Sequence, residues 1–456
     1  MPHDPVIDLL AHATEALEAE FCSLPDYAAE PSAGAEAMAQ VLAETAHRLG
    51  DNYPYFHPLY AGQMLKPPHP VARAAYALAM KINPNNHALD GGRASSAMEM
   101  EAVREIAGIF GWKEYLGHLT SGGTFANLEA LWMAGQLRPG QKIVGSEEAH
   151  YTHQRISAVL KLEFKGVPAD GRGRMRQDAL EDELRKGNVG TVVATLGTTG
   201  MGAVDPLDEI LSLSRRYGAR VHVDAAYGGY FRLIADGLDE PARRAYAAME
   251  EADSIVIDPH KHGLQPYGCG CVLFKDPAVG RFYKHDSPYT YFTSKELHLG
   301  EISLECSRAG AAAVALWATQ RLLPLVPGGE FARGLGRGRK AALELDRRLR
   351  EDGRFVALAA GPPELDIVVW AQALRAADFR KASEQARTVF DACARRGLHL
   401  ALVELPGSRF GARGGAQNEN ETMTCLRSVL MKPEHEAWMG EIWERLSAAC
   451  EEVVNG

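Results

Sequence analysis

Residues 254–274 read SIVIDPHKHGLQPYGCGCVLF. An apolar, β-branched run, Ile255 to Ile257, ends in Asp258-Pro259, and Lys261 follows between His260 and His262. Such a run reads as a short buried strand, and the Cys-Gly-Cys segment after it reads as another. A lysine at the end of a buried strand is poorly placed for solvent. Desolvation would lower its pKa and make it a nucleophile toward carbonyl groups. The plainer alternative is a lysine that snorkels to the surface. A metal reading of His260-Lys261-His262 is discounted, because a cation between two ligands repels a metal and no carboxylate–histidine pair lies near at ligand spacing.

Working outward, a rhythm runs from about residue 97. A helix is expected over Met98–Phe110 and another from Phe125, with "KIVGSE", "LEFKGVPA", "TVVATLGTT", "RVHVDAAYGG" and "SIVIDPHKH" as strands and helices between them. One of these helices, "PLDEILSLSRRYG", is expected to close at Gly218. This alternation predicts an α/β fold with a mainly parallel sheet covered on both faces. A break at 322–334 precedes a long charged helix, strands at "LDIVVWAQ", "LHLALVEL" and "LRSVLMK", and a final helix from Glu434, which reads as a smaller α+β domain. Residues 1–50 read as helical, and residues 51–95 as irregular because of their prolines and aromatics. The expected division is therefore 1–95, 96–325 and 326–456. The Gly- and Asn-rich stretch 404–421 is expected to be a surface loop.

The chain has 456 residues and a net charge of −10, with 46% hydrophobic and 24% charged residues. That is the composition of a folded protein with more than one domain. The acidic balance argues against a general nucleic-acid binder. No apolar run reaches the roughly 18 residues of a membrane span. The N-terminus has neither a basic head nor an apolar core, so it does not resemble a signal peptide. Seven scattered cysteines fit reduced thiols in the cytoplasm, and Cys269 and Cys271 are expected to share a face as packing residues.

Ligands of open α/β sheets sit at the carboxyl ends of the strands. The polar groups expected there are Ser121-Gly122-Gly123-Thr124, His150, Thr198-Thr199, Asp224 and the Asp258/His260/Lys261 group. Small residues before a helix start suit a phosphate, with Gly123 allowing close approach and Thr124 adding a hydroxyl, although an ordinary N-cap looks the same. Asp224, at a strand end beside Ala225 and Ala226, could pair with a protonated pyridine nitrogen or merely cap the next turn. His150 can stack on a flat ring or move protons, or be structural. Thr199 can donate a hydrogen bond to a ring substituent or a phosphate, or be structural. The ordered succession on strand ends points to an anionic, aromatic, carbonyl-bearing cofactor.

The segments "TSGGTFANLEAL", "EEAHYT", "VATLGTTGMGAVDP", "HVDAAYGGYF" and "DPHKHG" resemble the group II pyridoxal-phosphate-dependent amino-acid decarboxylases, over about residues 50–450. The resemblance implies a fold type I, aminotransferase-like architecture with a seven-stranded sheet. It also implies a homodimer with active sites at the subunit interface. Lys261 would hold the pyridoxal 5'-phosphate, Asp224 would pair with its ring nitrogen, His150 would stack on it and Ala226 would lie beneath it. Gly123 and Thr124 would bind the phosphate, and His260 would shield the covalent link. "FHPLYAGQM" is similar to a substrate-binding stretch of glutamate-type members, which marks His57 and Gln63. "CLRSVLMKP" resembles a strand whose arginine, here Arg427, lies near the substrate. Many members have Asn where this chain has Asp258. The larger members carry a long loop with a proton-donating tyrosine; here the segment is short, and Tyr289, Tyr291 or His298 would supply the proton.

The resemblance implies decarboxylation of an aromatic (tyrosine- or DOPA-like) or acidic (glutamate- or aspartate-like) amino acid to CO2 and a primary amine. Decarboxylating oxidative deamination to an aldehyde competes with it, because the loop tyrosine is absent. A carbon–carbon lyase or aminotransferase, and a scaffold without activity, are further alternatives.

Overall fold

The computed structural model describes residues 4, 6–25, 27, 34–284, 297–373, 378–407 and 421–455. Its centre is a seven-stranded sheet. In chain order the strands are β1 (Leu116–Thr120), β2 (Lys142–Ser146), β3 (Phe164–Val167), β4 (Val189–Thr195), β5 (Arg220–Asp224), β6 (Ser254–Ile257) and β7 (Gly270–Phe274). They lie side by side as β1-β7-β6-β5-β4-β2-β3. Only β7 runs against its neighbours; β6, β5, β4, β2 and β3 are parallel.

Every residue of β4, β6 and β7 is buried, because both faces of the sheet are covered. Val192, Ala194, Val223 and Ile255 pack into one core with Leu207, Ile210 and Leu211 of helix Leu207–Tyr217. On the other face, Val193 and Ile143 pack against Leu131 and Ile156, and Val256 and Val272 against Ala126 and Ala130. Gly218 closes helix Leu207–Tyr217 in the left-handed conformation, at φ +73°. Cys269 and Cys271 fall in the same core, buried and without a disulfide.

The smaller sheet is antiparallel. It comprises β8 (Phe355–Ala357), β9 (Ile367–Gln372), β10 (Ala401–Pro406) and β11 (Thr422–Val429), in the order β10-β11-β9-β8. Helices Glu330–Glu351, Phe379–Arg395 and His435–Asn455 pack on it. Residues 408–420, most of the expected loop, lie outside the described residues.

Several elements differ from expectation. The segment expected to be irregular contains helix Pro70–Met80, which starts with Pro at its first position and has His69 Nδ1 accepting from Val71 N at 3.2 Å. Its prolines mark a helix start, which is where proline is tolerated. The helix expected from Met98 begins at Leu89 and kinks at Gly92. Helix Glu330–Glu351 starts inside the expected break, and β8, three residues long, carries too little pattern to be read from sequence.

Residues 59–61 lie along the small sheet. Ala61 N donates to His399 O at 2.8 Å, and Val429 N donates to Ala61 O at 2.8 Å. The two sheets are also joined by Asp366, just before β9. Its buried carboxylate accepts from Tyr227 Oη at 2.6 Å and lies 2.8 Å from His262 Nε2. His262 is thus structural, in contrast to its neighbour Lys261. No helix among the described residues is long and apolar enough to cross a membrane. Asp366→Ala would leave two buried partners unsatisfied at about 1–3 kcal/mol each. A loss of about 2–4 kcal/mol is expected in denaturant unfolding, with a smaller loss for Asp366→Asn, which keeps an acceptor for Tyr227.

Candidate active site

The carboxyl ends of β1, β2, β4, β5 and β6 converge on a cavity of about 540 Å³. It is lined by Gly123, Thr124, His150, Thr199, Asp224, Ala226, His260 and Lys261, so eight of the expected site residues meet in one place.

The Gly-rich turn follows β1. Gly122 adopts φ +152°, a conformation that favours glycine, and helix Gly123–Leu137 begins without a side-chain cap. A Cβ on Gly123 would lie 2.5 Å from Asp258 Oδ2. The helix therefore starts in direct contact with the residue after β6. Phe125 N and Ala126 N both donate to Gly122 O at 3.0 Å, which leaves the N–H groups of Gly123 and Thr124 as the helix-start donors for an anion.

Asp224 ends β5. Its Oδ2 lies 2.7 Å from His153 Nε2, and its Oδ1 accepts from Ala226 N at 3.1 Å. Burial pushes this carboxyl up, but the His153 hydrogen bond and charge, with Lys261, outweigh burial and hold it well below the ordinary carboxylate range. His153 was not singled out from sequence. His150 precedes helix Thr152–Val159, and His153 falls on that helix's first turn, buried against the sheet. Behind it, His222 is pushed down to about 3 by burial and the neighbouring His153, and its Nε2 lies 2.9 Å from Asn127 Oδ1.

His150 is half-buried, and burial, with Lys261 and His153, holds it below its ordinary pKa against the pull of Asp224 and Asp258. Its Nδ1 accepts from Thr152 N at 3.3 Å, so the neutral ring carries its proton on Nε2.

Lys261 corrects the expectation of a lowered amine pKa. Burial pushes it down, but Asp258 and Asp224 reverse the sign and raise it above the ordinary lysine value. Its Nζ is 3.0 Å from Asp258 Oδ2. The residue that stood out in "DPHKHG" is therefore the counter-ion of the lysine. His260 Nε2 lies 3.5 Å from the same Oδ2, and its ring lies 4.7 Å from that of Tyr267. Asp258 Oδ1 and His260 Nδ1 are buried without a partner.

Arg427, on β11 of the small sheet, does not line the cavity itself but sits behind Thr199, which does. It donates to Thr199 O at 2.7 Å and to Gln63 Oε1 at 2.9 Å. Among the described residues it has no acidic partner within ion-pair distance, and burial lowers its pKa. Two expected substrate residues lie elsewhere. His57 packs edge-on against Trp438 at 4.9 Å, and its Nδ1 accepts from Leu59 N. His298 is buried, with Nδ1 accepting from Leu89 N at 3.0 Å. A local His-Pro pattern does not reveal which wall a ring will face. Tyr289 and Tyr291 lie outside the described residues.

An amine, an ionised carboxylate and free helix-start donors around one cavity fit the aldehyde, ring nitrogen and phosphate of a pyridoxal cofactor. With the mainly parallel sheet they define a fold type I pyridoxal-phosphate enzyme. A family model described as the pyridoxal-dependent decarboxylase conserved domain matches residues 52–371. The chain belongs to that family; it is a carboxy-lyase, and its cofactor is pyridoxal phosphate. It is similar to the L-tyrosine decarboxylase of Enterococcus faecium, 28% identical over 427 residues that cover 72% of this chain and 68% of that protein. It is also similar to the probable L-tyrosine/L-aspartate decarboxylase of Methanoregula boonei, 31% identical over 260 residues, 57% of this chain and 69% of that protein. Among solved structures, the Oryza sativa TDC with PLP and tryptamine matches with a TM-score of 0.78 at 18% identity, covering 99% of each chain.

Asp224 contributes stability above its unfolded pKa of about 3.9, and this contribution is lost as pH falls through its lower folded value. The cofactor-free wild type is expected to exceed Asp224→Asn in urea midpoint above about pH 4, with the gap shrinking below it. A gap independent of pH would contradict this assignment.

Proposed function

We propose that the protein decarboxylates an aromatic amino acid of the tyrosine or DOPA kind, or an acidic one of the glutamate or aspartate kind, to CO2 and a primary amine. The observation that carries this reading is the meeting of Lys261, Asp258 and the Asp224–His153 pair at neighbouring strand ends of one cavity. The tyrosine- and aspartate-directed names of the relatives support the two substrate classes.

Lys261 would hold the cofactor through its aldehyde, Gly123 and Thr124 would bind the phosphate, and Thr199 would close the rim. The bound cofactor supplies an electron sink for the pair left behind when the carboxylate departs. Asp224, held ionised by His153, would hold a proton on the ring nitrogen. Ala226 and His150, both lining the cavity, would hold the flat ring between them, His150 with a neutral imidazole. Asp258, 3.0 Å from Lys261 Nζ, would hold a proton on that amine whenever it is free. His260 shields that side of the cavity. Arg427, oriented by Thr199 and Gln63, meets the substrate carboxylate, because its protein partners are neutral acceptors.

We also propose a cytoplasmic homodimer. Helix Ala35–Leu49 has no buried residue and exposes Met38, Val41 and Leu42, an apolar face that a second copy would cover. The division into residues 1–95, a cofactor domain over 96–325 and a small domain over 326–456 is part of this reading.

A CO2-release screen over the twenty amino acids, DOPA and cysteine sulfinate tests the substrate class. The expected product is the amine; ammonia, peroxide and aldehyde would instead mark oxidative deamination. Lys261→Ala is expected to abolish both CO2 release and the cofactor's visible absorbance band. Asp224→Asn is expected to lower kcat by about 10²–10³, the range for losing one preorganised electrostatic partner.

A further inference from the structure

A second cavity, of about 310 Å³, lies behind the active site. It shares no lining residue with the first, yet the two adjoin: Lys261 lines one and His262 the other. Two of its lining residues are lysines far apart in sequence, Lys66 and Lys432, which are 8% and 3% exposed. Lys66 Nζ donates to Met431 O at 3.3 Å, and Lys432 Nζ donates to Tyr60 O at 2.6 Å. Among the described residues neither has a carboxylate within ion-pair distance. Each ammonium carries three donors, so both retain donors beyond these carbonyl bonds.

Buried amines without counter-ions are costly. Burial pushes Lys66 down to about 8 despite Asp366 and Glu434. Burial and the charge of Lys66 push Lys432 down to about 7. An anion between them would relieve both effects at once.

The walls indicate what kind of anion. Phe56, Pro68, Leu264, Leu323, Phe331 and Leu335 line the cavity, so an apolar body is accommodated. Two exposed acids, Glu330 and Glu434, line it as well and oppose a second negative charge, while Arg337, also exposed, offsets one of them. The balance favours a monoanion over a phosphate. The volume lies at the lower end of small-molecule sites, about 300–1,000 Å³, and exceeds the roughly 150 Å³ that holds a benzene ring.

We propose that this cavity is a binding site for a small carboxylate with an apolar or aromatic body, whose carboxylate sits between the ammonium groups of Lys66 and Lys432. The site is distinct from the catalytic cavity and adjoins it where Lys261 is followed by His262.

The test uses the holoenzyme. Crystals soaked with 4-bromobenzoate are expected to show a bromine anomalous peak in this cavity, with the carboxylate oxygens about 3 Å from both amines. In solution, a 19F NMR titration with 4-fluorobenzoate is expected to show a bound resonance that weakens about tenfold or more in Lys432→Met and in Lys66→Met, as expected for losing a charged hydrogen bond. Bromine confined to the catalytic cavity, occupancy in the crystal without a matching resonance in solution, or unchanged binding in both folded variants would overturn the proposal. The crystal measurement on the unmodified protein stands even if neither variant folds.

Discussion

The structure turns on a half-buried cation, Lys261, with two carboxylates beside it. Lys261 follows β6, Asp258 sits 3.0 Å from its amine, and Asp224 ends the adjacent strand β5. Removing a lysine from water costs free energy, and these two charges reverse that cost in sign. The same carboxylates need their own partners. Asp224 finds His153 on the helix after β2, and Asp258 presses against Gly123 at the helix after β1. The cavity floor is thus a chain of mutual constraints among four strand ends. Gly123 is part of it because a side chain there would collide with the counter-ion of the lysine.

The small sheet contributes one charged group to this arrangement. Arg427, on β11, lies behind the cavity wall and is oriented by neutral oxygens from two distant segments, Thr199 after β4 and Gln63 beside the strand-like residues 59–61. A guanidinium held this way keeps its positive charge available. Asp366 ties the small sheet to the segments that follow β5 and β6 by bonding Tyr227 and His262. Position of the arginine and position of the lysine are therefore coupled through packing, not through the chain.

Much of the site was legible because its residues follow strand-like runs, and the carboxyl ends of parallel strands must meet. Gly123, Thr124, His150, Thr199, Asp224, Ala226, His260 and Lys261 all follow that rule and all line the cavity. What failed was local pattern without strand context. His57 and His298 sit in irregular segments, where nothing in the sequence says which way a ring points, and both are held against other walls. Helix Pro70–Met80 was hidden by prolines that flank and start it.

The sequence by itself determined the alternation of buried strands and covering helices, the lysine and the aspartate, and the Gly-Gly turn. These follow from short-range periodicity and from residues with restricted backbone choices. Only the tertiary structure decided the partners: Asp258 with Lys261, His153 with Asp224, Arg427 with Gln63 and Thr199, Lys66 beside Lys432. Charge interactions act through space and depend on burial. Their sign at Lys261, raised where isolated desolvation would lower it, could be known only once both carboxylates had been brought alongside.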